Sequence, residues 1–373
     1  MDNLKFTISD SNITFKHKYL RLKKLRANLK KNGRFPYLIS NLTNIYYLTG
    51  FEGSYGSLLL DKDRTFFITD SRYTEYASSI FSDSIKIVQQ KNDYVETLKE
   101  IFKSIKNKQL FVEQSMPLET FLNFKKKLRN IKISPDGDEV NQLRIVKDES
   151  EINIIRKAVA LTDECFSHLL KTIKPGILEW EIAIEIDYFY RKNECRKSSF
   201  DSIVASGKGS SMPHYITSMS KKIDNNDILL IDMGCTYNGY NSDLTRTIFI
   251  GNIAPEFKRI YNIVRQAQEE AISRVKPGVT TGILDKSARD IISKENYGWA
   301  FGHSLGHGLG LEVHENPTLK NGNAYKLKKN IPFTIEPGIY IPDKGGVRIE
   351  DVVIVKDNGY EILTSSSKDI III

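Results

Sequence analysis

The chain has 373 residues, enough for two domains, and its 40% hydrophobic content can supply a core to each. Its net charge of +8 comes from 54 Lys and Arg against 46 Asp and Glu, spread along the whole length, so we predict no nucleic-acid partner. The three cysteines form no CxxC pair, residues 1–6 lack the apolar core of a signal peptide, and no apolar run approaches the about 20 residues of a membrane span. We therefore predict a cytoplasmic protein with no membrane partner.

The first third of the chain alternates helix and strand signals. Hydrophobic periodicity predicts a helix at residues 19–31 and a strand at residues 37–40. It also predicts a hairpin of two strands at residues 57–60 and 65–69. No metal-ligand or nucleophile pattern occurs there, so we predict a mixed α/β domain with a supporting role. Pro135 and Gly137 interrupt both periodicities. We therefore predict two domains, residues 1–138 and 139–373.

The second part of the chain contains a faint internal repeat. Each copy is predicted to contain a helix, a Lys-Pro-Gly turn, a second helix and then strands. In the first copy the helix, turn and second helix lie at residues 152–169, 174–176 and 178–191. In the second copy they lie at residues 256–275, 276–278 and 282–292. Chance Pro-Gly helix breaks would explain the shared letters alone. However, each copy also ends in strands that carry two carboxylates. Folded face to face, such a repeat would bring the carboxylates together across a pseudo-twofold axis.

Two aspartates are predicted to share one face of a hairpin. Residues 228–231 form a buried strand, and Asn238-Gly239 is a strong type I′ turn signal. Residues equidistant from this turn face each other, so Gly234 opposes Asp243, and Asp232 shares the face of Asp243. Solvated hairpin aspartates are a poorer interpretation, because a carboxylate that follows four apolar residues is buried and needs a partner or a metal.

Glu336 and Glu350 form a second candidate pair, 14 positions apart. An even separation requires an odd-numbered loop or a β-bulge if both are to share a face, and Pro337-Gly338 or Gly345-Gly346 could supply it. Together with His307, the four carboxylates suit two divalent cations with a nucleophilic hydroxide held between them at neutral pH. This set predicts a hydrolase.

Histidine is scarce, and three of the six lie in residues 302–315. The glycines of this segment forbid a stable helix, which excludes an HExxH zinc helix, and residues 311–314 are predicted as a strand. One imidazole can bind metal while the others face substrate, and spacing alone leaves the choice between His307 and His314 open. His214 is a further candidate. The histidines predicted to be structural, because they lie in helices, are His17 and His168.

The distinctive blocks of the second domain are Asp232-Met233-Gly234, residues 242–247, residues 303–315, residues 334–340 and residues 347–351. They resemble the signature blocks of the pita-bread metallopeptidases, in the proline-directed branch that contains Xaa-Pro aminopeptidase and prolidase. This resemblance covers the whole chain. It implies an α/β (α+β) fold, in which a pita-bread catalytic domain with a pseudo-twofold repeat follows a smaller, mixed α/β creatinase-like N-terminal domain.

The resemblance also implies the roles of individual residues. Two divalent ions, Mn²⁺ first with Co²⁺ or Zn²⁺ as alternatives, would be bound by Asp232, Asp243, His307, Glu336 and Glu350. Substrate contact and transition-state stabilisation would fall to His214, His303 and His314. Glu336 would also move a proton toward the departing proline nitrogen, and Arg348 would have a supporting or substrate-end role.

The predicted activity is that of an Xaa-Pro aminopeptidase, which cleaves the Xaa-Pro bond at the N-terminus of peptides through a metal-bridging hydroxide. We favour it because no extra insertion on the leaving-group side is evident. The alternative is an Xaa-Pro dipeptidase, or prolidase. An alternative of another class is a metal-free pita-bread binding module, which is disfavoured because all five ligands are present. The expected partners are a proline-containing peptide and a second copy of the chain in a homodimer.

Overall fold

The computed structural model describes residues 15–82, 84–90 and 92–373, so the prediction about residues 1–6 lies outside the described residues. The chain divides into two compact units, one through Arg144 and the other from Ile145 onward. The predicted boundary after residue 138 stays a prediction. No helix of the described residues is long and apolar enough to cross a membrane.

The first unit contains, among its described residues, a six-stranded sheet and the helices around it. The strands are β1 (Tyr37–Ile39), β2 (Ser57–Leu60), β3 (Thr65–Thr69), β4 (Lys86–Gln89), β5 (Gln109–Glu113) and β6 (Lys132–Asp136). The helices are α1 (Phe15–Lys31), α2 (Leu42–Thr49), α3 (Thr74–Ile80), α4 (Tyr94–Lys103), α5 (Leu118–Lys127) and α6 (Glu139–Ile145), whose last residue belongs to the second unit. The strand order is β4-β3-β2-β1-β5-β6, and β2 is antiparallel to both of its neighbours.

The predicted elements of the first unit are present. The hairpin of β2 and β3 has the predicted ends, and the predicted helix and first strand are confirmed as α1 and β1. The expectation that Pro135 interrupts the strand pattern is wrong, because β6 continues through it. Strand β6 lies at the edge of the sheet and pairs with β5 alone, so a residue without an N–H can be accommodated there.

The second unit contains four long helices and short strands among its described residues. The helices are α7 (Glu149–Leu169), α8 (Glu179–Lys192), α9 (Pro255–Ser273) and α10 (Thr281–Lys294), with 3₁₀ turns at Gly207–Ser211 and Gly298–Ala300. The strands are β7 (Lys197–Ser198), β8 (Ile203–Ser206), β9 (Asp227–Met233), β10 (Cys235–Tyr237), β11 (Tyr240–Asn241), β12 (Leu244–Ile250), β13 (Gly306–Gly308), β14 (Glu315–Leu319), β15 (Pro332–Ile335), β16 (Gly338–Ile341), β17 (Gly345–Arg348), β18 (Asp351–Lys356) and β19 (Gly359–Ile362).

This unit is built from two similar halves. In each half, a long helix, a Lys-Pro-Gly turn and a second helix precede an antiparallel strand pair, β9 with β12 in the first half and β15 with β18 in the second. Gly176 and Gly278 of the turns have φ values of 88° and 86°, which glycine adopts at low cost. They donate their N–H groups to the carbonyls of Ile223 and Leu327, each just before the first strand of its pair. The predicted internal repeat is therefore confirmed.

Helices cover one face of each strand pair. Helix α7 begins with a capping box, in which Asp148 accepts the N–H of Glu151 and the Glu151 carboxylate accepts the N–H of Asp148. One face of the helix is buried at every position: Ile152, Ile155, Val159, Thr162, Phe166 and Leu169. Residues of α7 and α8 form one core with β8, β9 and β12, and residues of α9 and α10 form another with β15 and β18.

The C-terminal residues run beside β12. The N–H of Phe249 donates to the carbonyl of Ile371, and the N–H of Ile373 donates to the carbonyl of Phe249. The side chains of Ile371 and Ile373 pack against the core of the first half.

Candidate metal centre

A hairpin with the predicted register sets the first carboxylate pair. The turn residues Asn238-Gly239 have φ values of 45° and 81°, as a type I′ turn requires. The register set by this turn continues to β9 and β12, where Asp232 pairs with Thr245. Asp243 lies two residues before Thr245, so its side chain lies on the same face as Asp232. Both aspartates line one cavity.

The second pair occupies the corresponding edge of the other sheet. Residues 342–344 join β16 to β17, and they are the odd-numbered loop that the sequence required. Strands β15 and β18 pair Ile335 with Asp351. The next residues at this end of the strands are Glu336 and Glu350, so the two carboxylates lie opposite each other.

Glycines allow β13 to carry His307 between two neighbouring strands, β14 and β15. A Cβ atom on Gly306 would lie 2.0 Å from the carbonyl oxygen of Thr334. A Cβ atom on Gly308 would lie 2.3 Å from the carbonyl oxygen of Asn316. Any side chain at these two positions would displace backbone, which explains why glycine flanks the histidine on both sides.

The predicted strand at residues 311–314 is wrong, because these residues form bends and β14 begins at Glu315. The Glu315 carboxylate turns back into the bent segment, where Oε1 accepts the N–H of Glu312. Its Oε2 lies 2.9 Å from Lys147 Nζ, and the two side chains are 5% and 1% exposed. This buried ion pair fixes the segment that carries His314 and prevents it from extending as a strand.

The imidazole of His307 faces the carboxylates. Its Nδ1 lies 3.1 Å from the carbonyl oxygen of Gly308, which makes Nδ1 the hydrogen-bond donor and leaves the lone pair on Nε2. Nε2 lies 3.6 Å from Asp243 Oδ2 and 3.3 Å from Glu336 Oε1. One donor atom each from Asp243, His307 and Glu350 lie within 4.8 Å of one another. This is the spacing of side chains that share a metal ion.

Two buried carboxylate oxygens, Asp232 Oδ1 and Glu350 Oε1, have no hydrogen-bond partner within the described part of the chain. The second oxygen of each group is held by the protein, because Asp232 Oδ2 accepts from Arg348 and Glu350 Oε2 accepts from Thr245 Oγ1. A buried oxygen without a partner is unfavourable. Divalent cations would satisfy both atoms, so the residues present fit a metal centre.

The electrostatics of the carboxylates lead to the same conclusion. Burial raises the pKa of the Asp243 carboxyl well above its usual range, and the neighbouring Glu350 and Asp232 raise it further. Burial, together with Glu336 and Asp232, raises the pKa of Glu350 in the same way. Cations among these groups would oppose the repulsion and favour the ionised forms.

The guanidinium of Arg348 is engaged on all sides by the protein. Its nitrogens donate to Asp232 Oδ2 at 2.5 Å, Thr245 Oγ1 at 3.0 Å and the Tyr340 hydroxyl at 2.9 Å. A further contact reaches the carbonyl of Pro213 at 3.3 Å. Of the two roles left open for Arg348, this geometry favours support of Asp232 over contact with the end of a substrate.

His303 is held within a hydrogen-bonded chain that the sequence did not reveal. Its Nδ1 lies 2.8 Å from the carbonyl oxygen of Ser304, so this nitrogen donates and Nε2 accepts. The Tyr340 hydroxyl lies 3.0 Å from Nε2 and therefore donates to it, while it accepts from Arg348. Tyr340 and Thr245 were visible as parts of the distinctive blocks, but nothing in their spacing indicated which groups their hydroxyls contact.

His214 and His314 differ from the other histidines of the cavity. His214 and His314 are both exposed, and no protein hydrogen bond to either ring is formed by the residues that the structure describes. The His314 ring stands nearly perpendicular to that of His307, with 4.2 Å between their centroids. Partial desolvation of the ring and the neighbouring His307 lower the pKa of His314.

All of the site residues predicted from the sequence line a single cavity of about 590 Å³. They are Asp232, Asp243, His307, Glu336 and Glu350 together with His214, His303, His314 and Arg348. The remaining lining residues, none of which was singled out from the sequence, are Phe200, Asp201, Ile203, Pro213, Ser304, Val313 and Thr318. The repeat and the glycine-rich segment thus converge on one place.

Family models match both parts of the chain. The Creatinase/Prolidase N-terminal domain matches residues 21–146, and metallopeptidase family M24 matches residues 153–357, more than half of the chain. The chain belongs to metallopeptidase family M24. This membership, with the mixed α/β architecture of both units, confirms the predicted pita-bread catalytic domain, which follows a creatinase-like domain in the sequence.

Relatives match this M24 member over nearly its whole length. The Xaa-Pro dipeptidase of Pyrococcus horikoshii is 38% identical over 355 residues, which cover 94% of this chain and 98% of that protein. The solved Xaa-Pro dipeptidase from Bacillus anthracis has a TM-score of 0.91 and 38% identity, over 95% of this chain and 100% of that one. The solved X-Pro aminopeptidase from Thermotoga maritima has a TM-score of 0.84 and 38% identity, over 91% and 98%.

These similarities bear on the predicted activity. They confirm a metallopeptidase. The full-length peptidase relatives and the complete set of five proposed ligands in one cavity argue against a metal-free binding module. They support the alternative, Xaa-Pro dipeptidase, better than the aminopeptidase that we predicted first, because dipeptidases recur among the relatives that match the full length. The choice of aminopeptidase depended on the apparent lack of an insertion, which is a weak signal without the shape of the cavity.

Proposed function

We propose that this protein is an Xaa-Pro dipeptidase, or prolidase, which hydrolyses the bond between a first residue and a C-terminal proline. The observation that carries the proposal is the full-length similarity to the Xaa-Pro dipeptidases of Pyrococcus horikoshii and Bacillus anthracis. The convergence of four carboxylates and one imidazole in a single cavity supports the chemistry.

The proposed cofactor is a pair of divalent cations. The five residues that would hold them are Asp232, Asp243, His307, Glu336 and Glu350. Because four of the five donors are carboxylates, Mn²⁺ suits the site best, with Co²⁺ or Zn²⁺ as alternatives. When bound, such cations supply a water that ionises near neutral pH and they polarise the scissile carbonyl.

Glu336 is the proposed proton carrier. Its Oε1 accepts a hydrogen bond from Thr334 Oγ1 at 3.2 Å and lies 3.3 Å from His307 Nε2, so the carboxylate is held toward the cavity. In this position it would take the proton of the attacking water and deliver it to the proline nitrogen as the bond breaks. The departing nitrogen is a secondary amine, which leaves only after protonation.

His314 and His214 are the proposed substrate contacts. Neither ring is held by a described protein hydrogen bond, and both line the cavity. An N–H of His314 would donate to the carbonyl oxygen as negative charge develops on it. Arg348, Tyr340 and His303 form a hydrogen-bonded chain that fixes Asp232. We therefore propose a positioning role for all three, which for His303 replaces the substrate contact expected from the resemblance.

We also propose that the protein is a homodimer. Helix α8 exposes Trp180, Ile184 and Tyr188 to 38%, 53% and 58%, and their spacing of four residues puts them on one face. Large apolar side chains grouped in this way are typical of a protein interface. Light scattering should give twice the monomer mass of 42.7 kDa, and a monomeric mass at micromolar concentration would reject the dimer.

A cytoplasmic location is proposed from the cysteines. Cys165, Cys195 and Cys235 are all buried thiols without a disulfide, which suits a reducing compartment. Fractionation of cells should recover the protein with cytoplasmic markers, and recovery in a secreted or membrane fraction would contradict this.

A second candidate function is Xaa-Pro aminopeptidase, which is favoured by the similarity to the X-Pro aminopeptidase from Thermotoga maritima. Purified protein supplied with Mn²⁺ should be assayed on Leu-Pro, Leu-Pro-Ala and Leu-Ala. A dipeptidase cleaves Leu-Pro and leaves the tripeptide, whereas an aminopeptidase releases Leu from Leu-Pro-Ala. Equal rates on Leu-Ala and Leu-Pro would reject the requirement for proline.

A further inference from the structure

The cavity contains an acidic residue that does not belong to the proposed metal ligands. Asp201 lines the cavity beside Phe200 and Ile203. Its side chain is exposed, and it forms no hydrogen bond or ion pair with any residue that the structure describes. Neither the metal centre nor the hydrogen-bonded chain around Arg348 uses it.

The sheet register places Asp201 near the metal centre but outside it. Strand β8 pairs with β9 so that Ile203 lies opposite Asp232, and directly opposite residues share a face. Asp201 is two residues before Ile203, just outside β8, and both side chains line the cavity. The Asp232 side chain is only 14% exposed, whereas Asp201 is open to solvent. Asp201 therefore lies at the open part of the cavity.

The charge of the lining shows what Asp201 can attract. The other acidic lining residues are the four carboxylates assigned to metal, Asp232, Asp243, Glu336 and Glu350. The basic lining residues are histidines and Arg348, whose guanidinium is occupied by protein acceptors. Asp201 is thus the one acidic group among the described lining residues that remains to bind a cationic part of a substrate.

We propose that Asp201 selects substrates whose first residue is basic, Lys or Arg, an inference that rests on the proposed Xaa-Pro dipeptidase activity. The scissile carbonyl must reach the buried carboxylate cluster. The N-terminal ammonium is separated from that carbonyl by a single carbon atom, so it remains deep in the cavity. The charge of a lysine side chain is carried at the end of a four-carbon stem and can extend to the open part, where Asp201 lies. Phe200 and Ile203 would pack against the stem.

The test compares Lys-Pro with norleucine-Pro, whose first side chain has the same stem without the charge. The wild-type protein should have the higher kcat/KM on Lys-Pro. Asp201→Asn should reduce kcat/KM on Lys-Pro about fivefold and leave norleucine-Pro within about twofold, since a partly exposed charge pair contributes little more than this. The preference should also weaken as salt is added.

Two further variants complete the experiment. Asp201→Lys should shift the preference toward Glu-Pro, because it places a like charge against Lys-Pro and an opposite charge against Glu-Pro. Asp224→Asn makes the same change of net charge at an exposed aspartate that does not line the cavity, and it should leave the ratio of Lys-Pro to norleucine-Pro unchanged. Metal content should be equal in all variants.

Each other outcome contradicts a specific part of the inference. An unchanged ratio in Asp201→Asn overturns it. Equal losses on both dipeptides would show that Asp201 holds the N-terminal ammonium common to them. Loss of bound metal in Asp201→Asn would show that Asp201 is a metal ligand instead. If the wild-type protein, loaded with metal, cleaves neither dipeptide, the proposed function fails and this inference fails with it.

Discussion

His307 and His314 lie in one glycine-rich segment, yet their rings have different surroundings. The Nδ1 of His307 is held by the carbonyl of Gly308, and its Nε2 faces Asp243 and Glu336. The His314 ring lies beside it, exposed and without a described hydrogen bond. Spacing alone left the metal ligand undecided between the two, and the geometry supports His307.

Alanine substitutions of the two histidines separate their roles. We expect His307→Ala to lose metal as well as activity, because a five-residue site has no spare donor. His314→Ala should keep its metal and lose turnover by about 100-fold or more, the typical effect of removing a transition-state hydrogen-bond donor. Metal stoichiometry and kcat are the measurements. Metal loss confined to His314→Ala would reverse the assignment.

Some residues of the site could be predicted from the sequence, and others could not. The four carboxylates proposed as ligands could be found because each lies in or next to a buried strand, and buried charge needs a partner. His307 was chosen over His314 only through the family resemblance. Tyr340, in contrast, occupies an ordinary strand position, and its role arises from two distant residues, His303 and Arg348, that meet at its hydroxyl. No local pattern encodes such a meeting.

Among the helices and strands, the register of a hairpin could be predicted where its turn has a clear sequence signal. The Asn238-Gly239 turn fixes the register of its hairpin, so the shared face of Asp232 and Asp243 follows from local sequence. Residues 311–314 have the composition of a strand but bend, because Glu315 forms a buried ion pair with Lys147, far away in the chain. Local propensity fails where a distant charge determines the backbone.

Two glycines of the same segment provide a test of the close packing around His307. Gly306→Ala would place a Cβ atom 2.0 Å from the carbonyl oxygen of Thr334, whereas Gly302→Ala meets nothing within 4 Å. We expect Gly306→Ala to lower the free energy of unfolding by about 1–3 kcal/mol or more and to weaken metal binding. Gly302→Ala should stay within about 0.5 kcal/mol of the wild type. Equal stability of the two variants, measured by urea denaturation, would contradict the close approach.

At the scale of the whole molecule, one buried arginine links the C-terminal segment to the site. Arg246 is 1% exposed and pairs with Asp351 at 2.7 Å. It donates to the carbonyl of Glu350 and to the carbonyls of Ser366 and Ser367. Arg246 therefore fixes the backbone at a proposed metal ligand and the final stretch of chain together.

Removing this guanidinium should be strongly destabilising. Arg246→Met leaves the Asp351 carboxylate buried without its main partner, and we expect a loss of about 3–5 kcal/mol. Arg265→Met removes a comparable pair with Asp369 whose side chains are 36% and 77% exposed, and it should change stability by no more than about 1 kcal/mol. If the two variants unfold at similar urea concentrations, burial of the ion pair does not determine how much its loss destabilises the protein.

The two-half architecture of the second unit could be predicted because the same sequence pattern occurs twice. Two copies of helix, Lys-Pro-Gly and helix, each followed by paired carboxylates, indicated a duplicated unit, and the turns at Gly176 and Gly278 share nearly the same φ. The choice between dipeptidase and aminopeptidase was not predictable in this way. It depends on how the cavity is closed around the end of a substrate, and several loops distant in sequence line that cavity.

Elemental analysis of the purified protein, alongside its peptidase assay, tests whether the convergent carboxylates and His307 bind divalent metal. We predict two divalent ions per chain, loss of Leu-Pro hydrolysis when a chelator removes them, and recovery that is greatest with Mn²⁺ or Co²⁺. Full hydrolysis of Leu-Pro by protein that contains no more than trace metal would show that these residues do not act through bound metal.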